Sequence, residues 1–417
     1  MVLPYPLALL QRLSIASDTR ILLVVLDGIG DVPVDGETPL SAADTPNLDA
    51  LSREASLGLS TVVAPGITPG SGPGHLSLFG YDPLVYDVGR GVLSALGIDL
   101  DLGGEEVAAR GNFATFDNDG LVEDRRAGRI STALNEELIA ALRAEISEVE
   151  GVTVELHTES EYRFVVRLRG DGLGGEVGDT DPGRVGLARR AAKAQSGDQS
   201  DSRTASVLER LSELCAEVLS DVPVAREAEP AVNGVLLRGI GRRPELPRIG
   251  DICRLRAGSI AAYPMYRGVS RLVGMECPPI DLEGTGERTA AKLASYRDHG
   301  RDYEFLYFHV KKTDSYGEDG DFAKKTEQVA DFDAILPQLL DAEPDVVVIT
   351  GDHSTPVLLR AHSWHPLPVL LWSRLARRDG RCFTEMDCRG GSLGTLRHLD
   401  LLPLAMANAG KLAKLGA

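Results

Sequence analysis

Three short runs along the chain are almost wholly apolar: 21–26, 304–310 and 346–350. They are too short for core helices and too continuous for strands with one wet face. Runs of this kind predict strands buried on both sides, as in parallel sheets covered by helices. Helical spacing over 287–298 leads into the second run, and over 323–341 into the third. A fourth strand pattern at 367–372 precedes helical spacing over 398–413. Strand and helix in alternation predict a doubly wound α/β fold.

The middle of the chain follows a different rhythm. Short strand patterns at 111–116, 152–157, 162–168 and 234–238 surround helical patterns at 132–146 and 205–219. Between them, 171–204 is rich in Gly, Asp, Arg and Ser and poor in large apolar residues. That composition predicts a mobile surface loop. A middle so unlike the two flanks predicts an insertion. The core would comprise 1–99 and 249–417, and the inserted domain 100–248. No internal repeat is present.

Each buried run opens directly onto polar residues: Leu26-Asp27-Gly28, Lys311-Lys312-Thr313-Asp314 and Gly351-Asp352-His353-Ser354-Thr355. Ligands of open α/β sheets gather at the carboxyl ends of strands. Asp27, Asp314 and Asp352 at three such ends, with His353 beside the last, therefore predict a site. Adjacent Asp and His can face one divalent ion with oxygen and nitrogen donors. His362 and His365 follow nine and twelve residues after His353 and are further nitrogen donors. Glu318 lies four residues after Asp314, on the same face if that segment is helical. A fourth segment, Pro69-Gly70-Ser71-Gly72, gives way to Leu76, Leu78 and Phe79, the pattern of a loop feeding a helix. Ser71 at that helix start would have free N–H groups beside it, suited to phosphate, although serine is also an ordinary cap there. Its hydroxyl is a weak nucleophile unless a base or metal activates it. Two metals held close together would clamp the attacking and leaving oxygens of an in-line phosphoryl transfer.

Composition narrows the partners. The chain has 417 residues, 43% hydrophobic and 25% charged, with a formal net charge of −18. That charge argues against nucleic acid or an anionic membrane, but not against a small anion held in a local arginine pocket. No apolar run reaches the ~20 residues of a membrane helix. The first ten residues hold Pro4 and Pro6 and no basic residue, a poor signal peptide. Five cysteines without paired spacing predict free thiols, and a cytoplasmic location is expected.

As a set, the site motifs resemble those of the archaeal-type cofactor-independent phosphoglycerate mutases, of the alkaline phosphatase superfamily. The resemblance runs from Val25-Leu-Asp-Gly-Ile-Gly to Asp400-Leu-Leu-Pro-Leu. It is carried by Thr45-Pro-Asn-Leu-Asp, Pro69-Gly-Ser, Phe79-Gly-Tyr-Asp-Pro, Ala109-Arg-Gly-Asn-Phe-Ala, His309-Val-Lys-Lys-Thr-Asp and Gly351-Asp-His-Ser-Thr-Pro. It implies an alkaline-phosphatase-like doubly wound core with an inserted smaller α/β (α+β) cap domain. It also implies interconversion of 2-phosphoglycerate and 3-phosphoglycerate in glycolysis and gluconeogenesis, without 2,3-bisphosphoglycerate. The same metals and serine would serve a metal-dependent phosphatase or another phosphomutase.

Carried over by position, Ser71 takes the phosphoryl group. Asp27, Ser71, Asp352 and His353 hold one metal; Asp314, Glu318 and His362 hold the other. The family has histidine where this chain has Glu318, and an oxygen donor there shifts preference toward Mn²⁺ or Mg²⁺. Mn²⁺ is the expected ion, ahead of Mg²⁺, Co²⁺ or Zn²⁺. Gly72 stands where many relatives carry an acidic residue. Arg110, Arg125, Arg129 and Arg238 are the implied contacts to substrate phosphate and carboxylate. Asp124 is the implied acid/base, with Asp179 and Asp181 as further candidates. The molecule is expected to be a monomer or a simple homo-oligomer.

Overall fold

The computed structural model describes residues 3–281 and 288–416. Thirteen strands lie among them. In chain order they are β1 Ile21–Leu26, β2 Ser56–Thr61, β3 Val107–Phe116, β4 Val122–Asp124, β5 Glu148–Val149, β6 Val152–Ser160, β7 Arg163–Arg169, β8 Gly234–Arg242, β9 Ala257–Ile260, β10 Phe305–Val310, β11 Val346–Thr350, β12 Leu367–Ser373 and β13 Gly394–Arg397. Contacts divide the chain into two units, 1–87 with 246–417 and 88–245. The first division falls earlier than the expected residue 100. The helix Arg90–Gly97 packs on β3 and β8 and so belongs with the inserted sheet.

The first unit carries a seven-stranded sheet in the order β13-β2-β12-β11-β1-β10-β9. β1 pairs in parallel with β10 on one side and with β11 on the other. Every residue of β1, β10 and β11 is buried, as continuous apolar runs require when both sheet faces are covered. Leu22, Val24 and Leu26 pack with Phe308 and Ile349, and with Val329, Phe332 and Leu336 of the helix Phe322–Leu340. β12 runs antiparallel to both of its neighbours, so the sheet is mixed.

Register follows from this pairing, and it builds the site. Leu26 stands opposite Val310, and Val25 opposite Thr350. The next residues on all three strands therefore emerge side by side from one sheet edge. The Asp27 N–H continues the ladder, donating to the Val310 carbonyl at 2.9 Å.

The second unit is a β4-β3-β7-β6-β5 sheet with β8 on β3, antiparallel throughout. The helices Thr132–Glu145 and Gln199–Asp221 cover it. The segment 171–198 has no helix or strand, as expected of a loop, but it is not free on the surface throughout. Leu173 and Val177 are buried in this core, and the helix already begins at Gln199 behind its Asp198 cap. Its polar residues are committed internally: Asp201 Oδ1 accepts the Glu176 N–H at 3.0 Å. The expected helix at 287–298 is found as Arg288–His299, residue 287 lying outside the described residues. The expected helix at 398–413 is shorter, a 3₁₀ turn His398–Asp400 and then Leu401–Asn408. Gly410, in the left-handed region at φ +66°, ends it in the manner of a glycine C-cap.

Candidate metal and phosphoryl-transfer site

Asp27, Asp314, Asp352 and His353 are buried at the shared edge of β1, β10 and β11. Gly28 makes the tight exit from β1 at φ +65°. A side chain there would also bring its Cβ within 2.5 Å of Thr355 Oγ1 and 2.9 Å of the Asp314 Cα. Ser71 is the first residue of the helix Ser71–Leu78, behind Gly70. That helix sits close because Gly74 has no side chain: a Cβ would fall 2.2 Å from the Asp352 carbonyl. Ser71 Oγ lies 3.2 Å from His353 Nε2.

Hydrogen bonds fix which ring nitrogen is free. Thr355 Oγ1 donates to Asp314 Oδ1 at 2.9 Å, so it accepts from His353 Nδ1 at 3.0 Å. The Nε2 lone pair of His353 is left facing Asp27 Oδ1 at 3.4 Å and Asp352 Oδ2 at 3.2 Å. His362 repeats the arrangement. Its Nδ1 meets the Pro69 carbonyl at 3.2 Å, and its Nε2 stands 3.4 Å from Asp314 Oδ1. The two imidazoles stack with centroids 3.6 Å apart. Committing one nitrogen to an oxygen partner is how metal-binding histidines are oriented.

Two groups of donor atoms result: Asp27, Asp352 and His353, and Asp314, His353 and His362, each within 4.8 Å. Asp27 Oδ1 and Asp352 Oδ2 are buried without a hydrogen-bond partner. Buried carboxylate oxygens are rarely left so, and a bound divalent cation would satisfy them. The carboxylate and imidazole donors fit such an ion.

The electrostatics agree with a cation site. Burial works against ionising Asp27, but Lys311, His309 and His353 hold its carboxyl well below the usual range. Asp352 is pushed well above that range by burial and by the carboxylates of Asp27 and Asp314. Lys311 Nζ sits 3.0 Å from Asp27 Oδ2 and 2.7 Å from Asp314 Oδ2. Tyr266 donates its hydroxyl to Asp27 Oδ2, and His75 Nδ1 meets the Ser71 carbonyl at 2.8 Å.

Sequence position had singled out neither Lys311, Tyr266 nor His75. Lys311 and Thr355 stand inside the motifs, but a lysine or threonine beside an aspartate carries no signal of its own. Beside Lys311, a cavity of about 620 Å³ is lined by Arg288, Lys292 and Lys312 as well. It gives this acidic chain a cationic recess.

Two expected donors stand elsewhere. Glu318 is exposed on the helix Lys312–Asp319 and joins neither donor group. The face of that helix turned inward is carried by Thr313, Asp314 and Gly317, so the residue one position on points away. The group around Asp314 contains His353 and His362 instead. His365 meets Ser363 Oγ at 2.9 Å and stacks on Trp364, again outside both groups.

In the second unit, Arg125 grips the buried Asp181 with two hydrogen bonds of 2.8 Å. Arg238 Nε lies 3.6 Å from the same carboxylate and 3.8 Å from Asp179. Arg110 stands across the ladder from Arg238 and is buried with Nε unpartnered. Arg129 is exposed in the turn Ala127–Arg129 at φ +57° and is not among the ion pairs of Asp181. Asp124 accepts the N–H groups of Arg126 at 2.7 Å and Gly128 at 3.0 Å, so both its oxygens help to hold that turn.

Comparison with known proteins agrees with this chemistry. Residues 52–225 match the family described as 2,3-bisphosphoglycerate-independent phosphoglycerate mutase. Proteins named as probable members are 52% identical in Thermus thermophilus and 47% identical in Thermotoga maritima, each alignment covering 98% of both chains. A solved structure from Pyrococcus horikoshii superposes with a TM-score of 0.81 at 30% identity, covering 96% of this chain and 99% of its own. The cofactor-independent phosphoglycerate mutase of Thermoplasma acidophilum gives 0.66 at 29% identity, covering 94% and 100%. With identity of this extent over its whole length, the chain belongs to the 2,3-bisphosphoglycerate-independent phosphoglycerate mutases.

Proposed function

We propose that the protein interconverts 2-phosphoglycerate and 3-phosphoglycerate through a phosphoserine at Ser71. The observation that carries this reading is Ser71 Oγ at a helix N-terminus, 3.2 Å from His353 Nε2, with the donor groups around it. Asp27, Asp352 and His353, with Ser71 beside them, would hold one divalent ion, and Asp314 and His362 would contribute to the other. When bound, the ions would supply Lewis acidity for the phosphoryl transfer. The oxygen-rich set of Asp27, Ser71, Asp352 and His353 suits Mn²⁺ or Mg²⁺. The set with His362 no longer favours Mn²⁺ over Zn²⁺ once Glu318 stands outside it.

Ser71 Oγ bonds to phosphorus as the bond from phosphorus to the glycerate oxygen breaks. Over this half-reaction the serine proton ends on the freed glycerate oxygen, and Asp124 is the assigned carrier. The other glycerate hydroxyl then attacks the phosphoserine, and Ser71 recovers its proton. The free N–H groups at the start of Ser71–Leu78 favour the phosphoryl charge. Arg110, Arg125, Arg129 and Arg238 are assigned to the substrate phosphate and carboxylate. Lys311 and the basic recess beside it offset the negative charge brought in by substrate.

The test is an enolase-coupled assay with Mn²⁺ and no 2,3-bisphosphoglycerate. Wild type should turn over, Ser71→Ala should lose all activity while staying folded, and substrate trapping should leave phosphate on the Ser71 peptide. Turnover by the alanine variant above contaminant level would remove Ser71 from this role. Release of inorganic phosphate and glycerate by wild type, without isomerisation, would make the protein a phosphatase instead.

A further inference from the structure

Lys325 is wholly buried, yet it lies outside every motif that marks the site. It projects from the first turn of the helix Phe322–Leu340, and its ammonium has three hydrogens to place. They go to the Gly28 carbonyl at 2.9 Å, the Thr355 carbonyl at 2.9 Å and Asp31 Oδ2 at 2.8 Å. All three donors are used, and two of them hold backbone that belongs to the metal-ligand loops.

The two carbonyls are those of the residues that orient the ligands. Gly28 follows Asp27 directly, and its N–H donates to Asp352 Oδ1 at 3.1 Å. With the N–H on Asp352 and the carbonyl on Lys325, the peptides on both sides of Gly28 are anchored. Thr355 uses its hydroxyl to fix Asp314 and the tautomer of His353. Its N–H donates to the Gly30 carbonyl at 3.0 Å, and Lys325 takes its own carbonyl. Asp31 completes the clasp by accepting the Val357 N–H at 3.2 Å. One ammonium thus joins the loop after β1 to the loop after β11. Asp27, Asp352 and His353 belong to those two loops, with Asp314 held to them by the Thr355 hydroxyl.

We propose that Lys325, together with Asp31, is a positioning residue that sets the affinity of this site for its divalent ions. The inference rests on the metal reading given above. Outer-shell partners of metal ligands are typically worth about 10–100-fold in metal affinity or activity, and here one side chain serves two loops. A purely structural role would instead tie any loss of metal to a general loss of stability.

Three variants separate these possibilities: Lys325→Met, the neutral pair Lys325→Met with Asp31→Asn, and Lys325→Arg. Lys325→Met leaves Asp31 buried without its cation and should lower the Tm. The double variant removes both charges and should regain most of it, since neutral replacement of a buried pair is often tolerated. Lys325→Arg keeps the charge, but its planar fork cannot make the same three bonds. The expected result is a Kd for Mn²⁺, by calorimetric titration, raised about 10–100-fold in the double variant, with chelator-treated Tm close to wild type. At saturating Mn²⁺, KM for phosphoglycerate should stay within about twofold while kcat falls. If Lys325→Met does not fold, the other two variants decide. A double variant or Lys325→Arg that binds Mn²⁺ within twofold of wild type would overturn the positioning role alone. Wild type that binds no Mn²⁺ would overturn the metal reading and the inference with it.

Discussion

In the first unit, Asp27, Asp352, His75, His309, His353 and His398 are all buried to within one per cent of complete. Burial is the largest influence on the protonation of each, followed by Lys311 at Asp27 and by neighbouring charges at the other site residues. In the second unit Arg110 and Asp181 are buried too, but the Arg125 and Arg238 side chains are 24% and 25% exposed. Seven of the eight histidines belong to the first unit, leaving only His157 to the second. A dry cluster of carboxylates and imidazoles tunes proton and cation chemistry. A half-solvated arginine cluster can release its internal carboxylates in exchange for an anionic ligand, because arginine matches both by the same fork.

The largest expected effect comes from the residue that both donor groups share. His353→Ala should lose the ion held with Asp27 and Asp352 and cut kcat by more than the ~100-fold typical of an outer-shell partner. Metal analysis alongside the coupled assay checks this, and both ions retained at full occupancy would remove His353 from the ligand set. Arg125→Ala should leave metal content unchanged while kcat/KM falls about 10–100-fold, as for a lost charge-assisted hydrogen bond. Arg125→Lys should not restore it, because the bidentate geometry is gone. Unchanged kinetics in both variants would return Arg125 to a role within the fold alone.

Acid should separate the two units more gently. Burial pushes His75 and His398 down to about 3. The unfolded chain, with imidazoles near 6.5, binds protons that the folded chain refuses. Stability of the first unit is therefore complete above about pH 6.5 and falls as pH drops toward 4. Asp181 behaves otherwise. Burial raises it, but the fork of Arg125 and the Gly183 N–H hold it below the usual carboxylate range. Its contribution is present above about pH 4 and is lost only as pH falls through its depressed value. Hydrogen exchange read peptide by peptide on chelator-treated protein should show the first unit opening at the higher pH. Opening of 88–245 first would contradict this assignment of the buried imidazoles.

The smallest effect is expected at Glu318. Exposed and outside both donor groups, it should tolerate Glu318→Ala with two ions bound and kcat within about twofold, as surface substitutions usually do. Loss of one ion on metal analysis would show that Glu318 turns inward when the ions bind.

Much of this molecule was determined locally. The runs at 21–26 and 346–350 could be nothing but buried strands, and the polar residues that follow them had to emerge at a strand end. Ser71 followed from glycine and proline giving way to a helical pattern. Local pattern also misled, where a polar composition at 171–204 concealed buried Leu173 and Val177 and an early helix start. Spacing placed Glu318 one helical turn from Asp314 but could not say which way that turn faced. The packing of Gly317 against Thr355 decided it. Nothing along the chain says that β1 lies between β10 and β11, because the partners are separated by more than 270 residues. That adjacency makes His353 common to both groups, brings Lys311 between Asp27 and Asp314, and lets Lys325 reach two loops at once. Hydrophobic period reports which face of an element is buried. Which elements meet is decided by how those faces pack, so the strand ends were legible in the sequence and their meeting belonged to the tertiary structure.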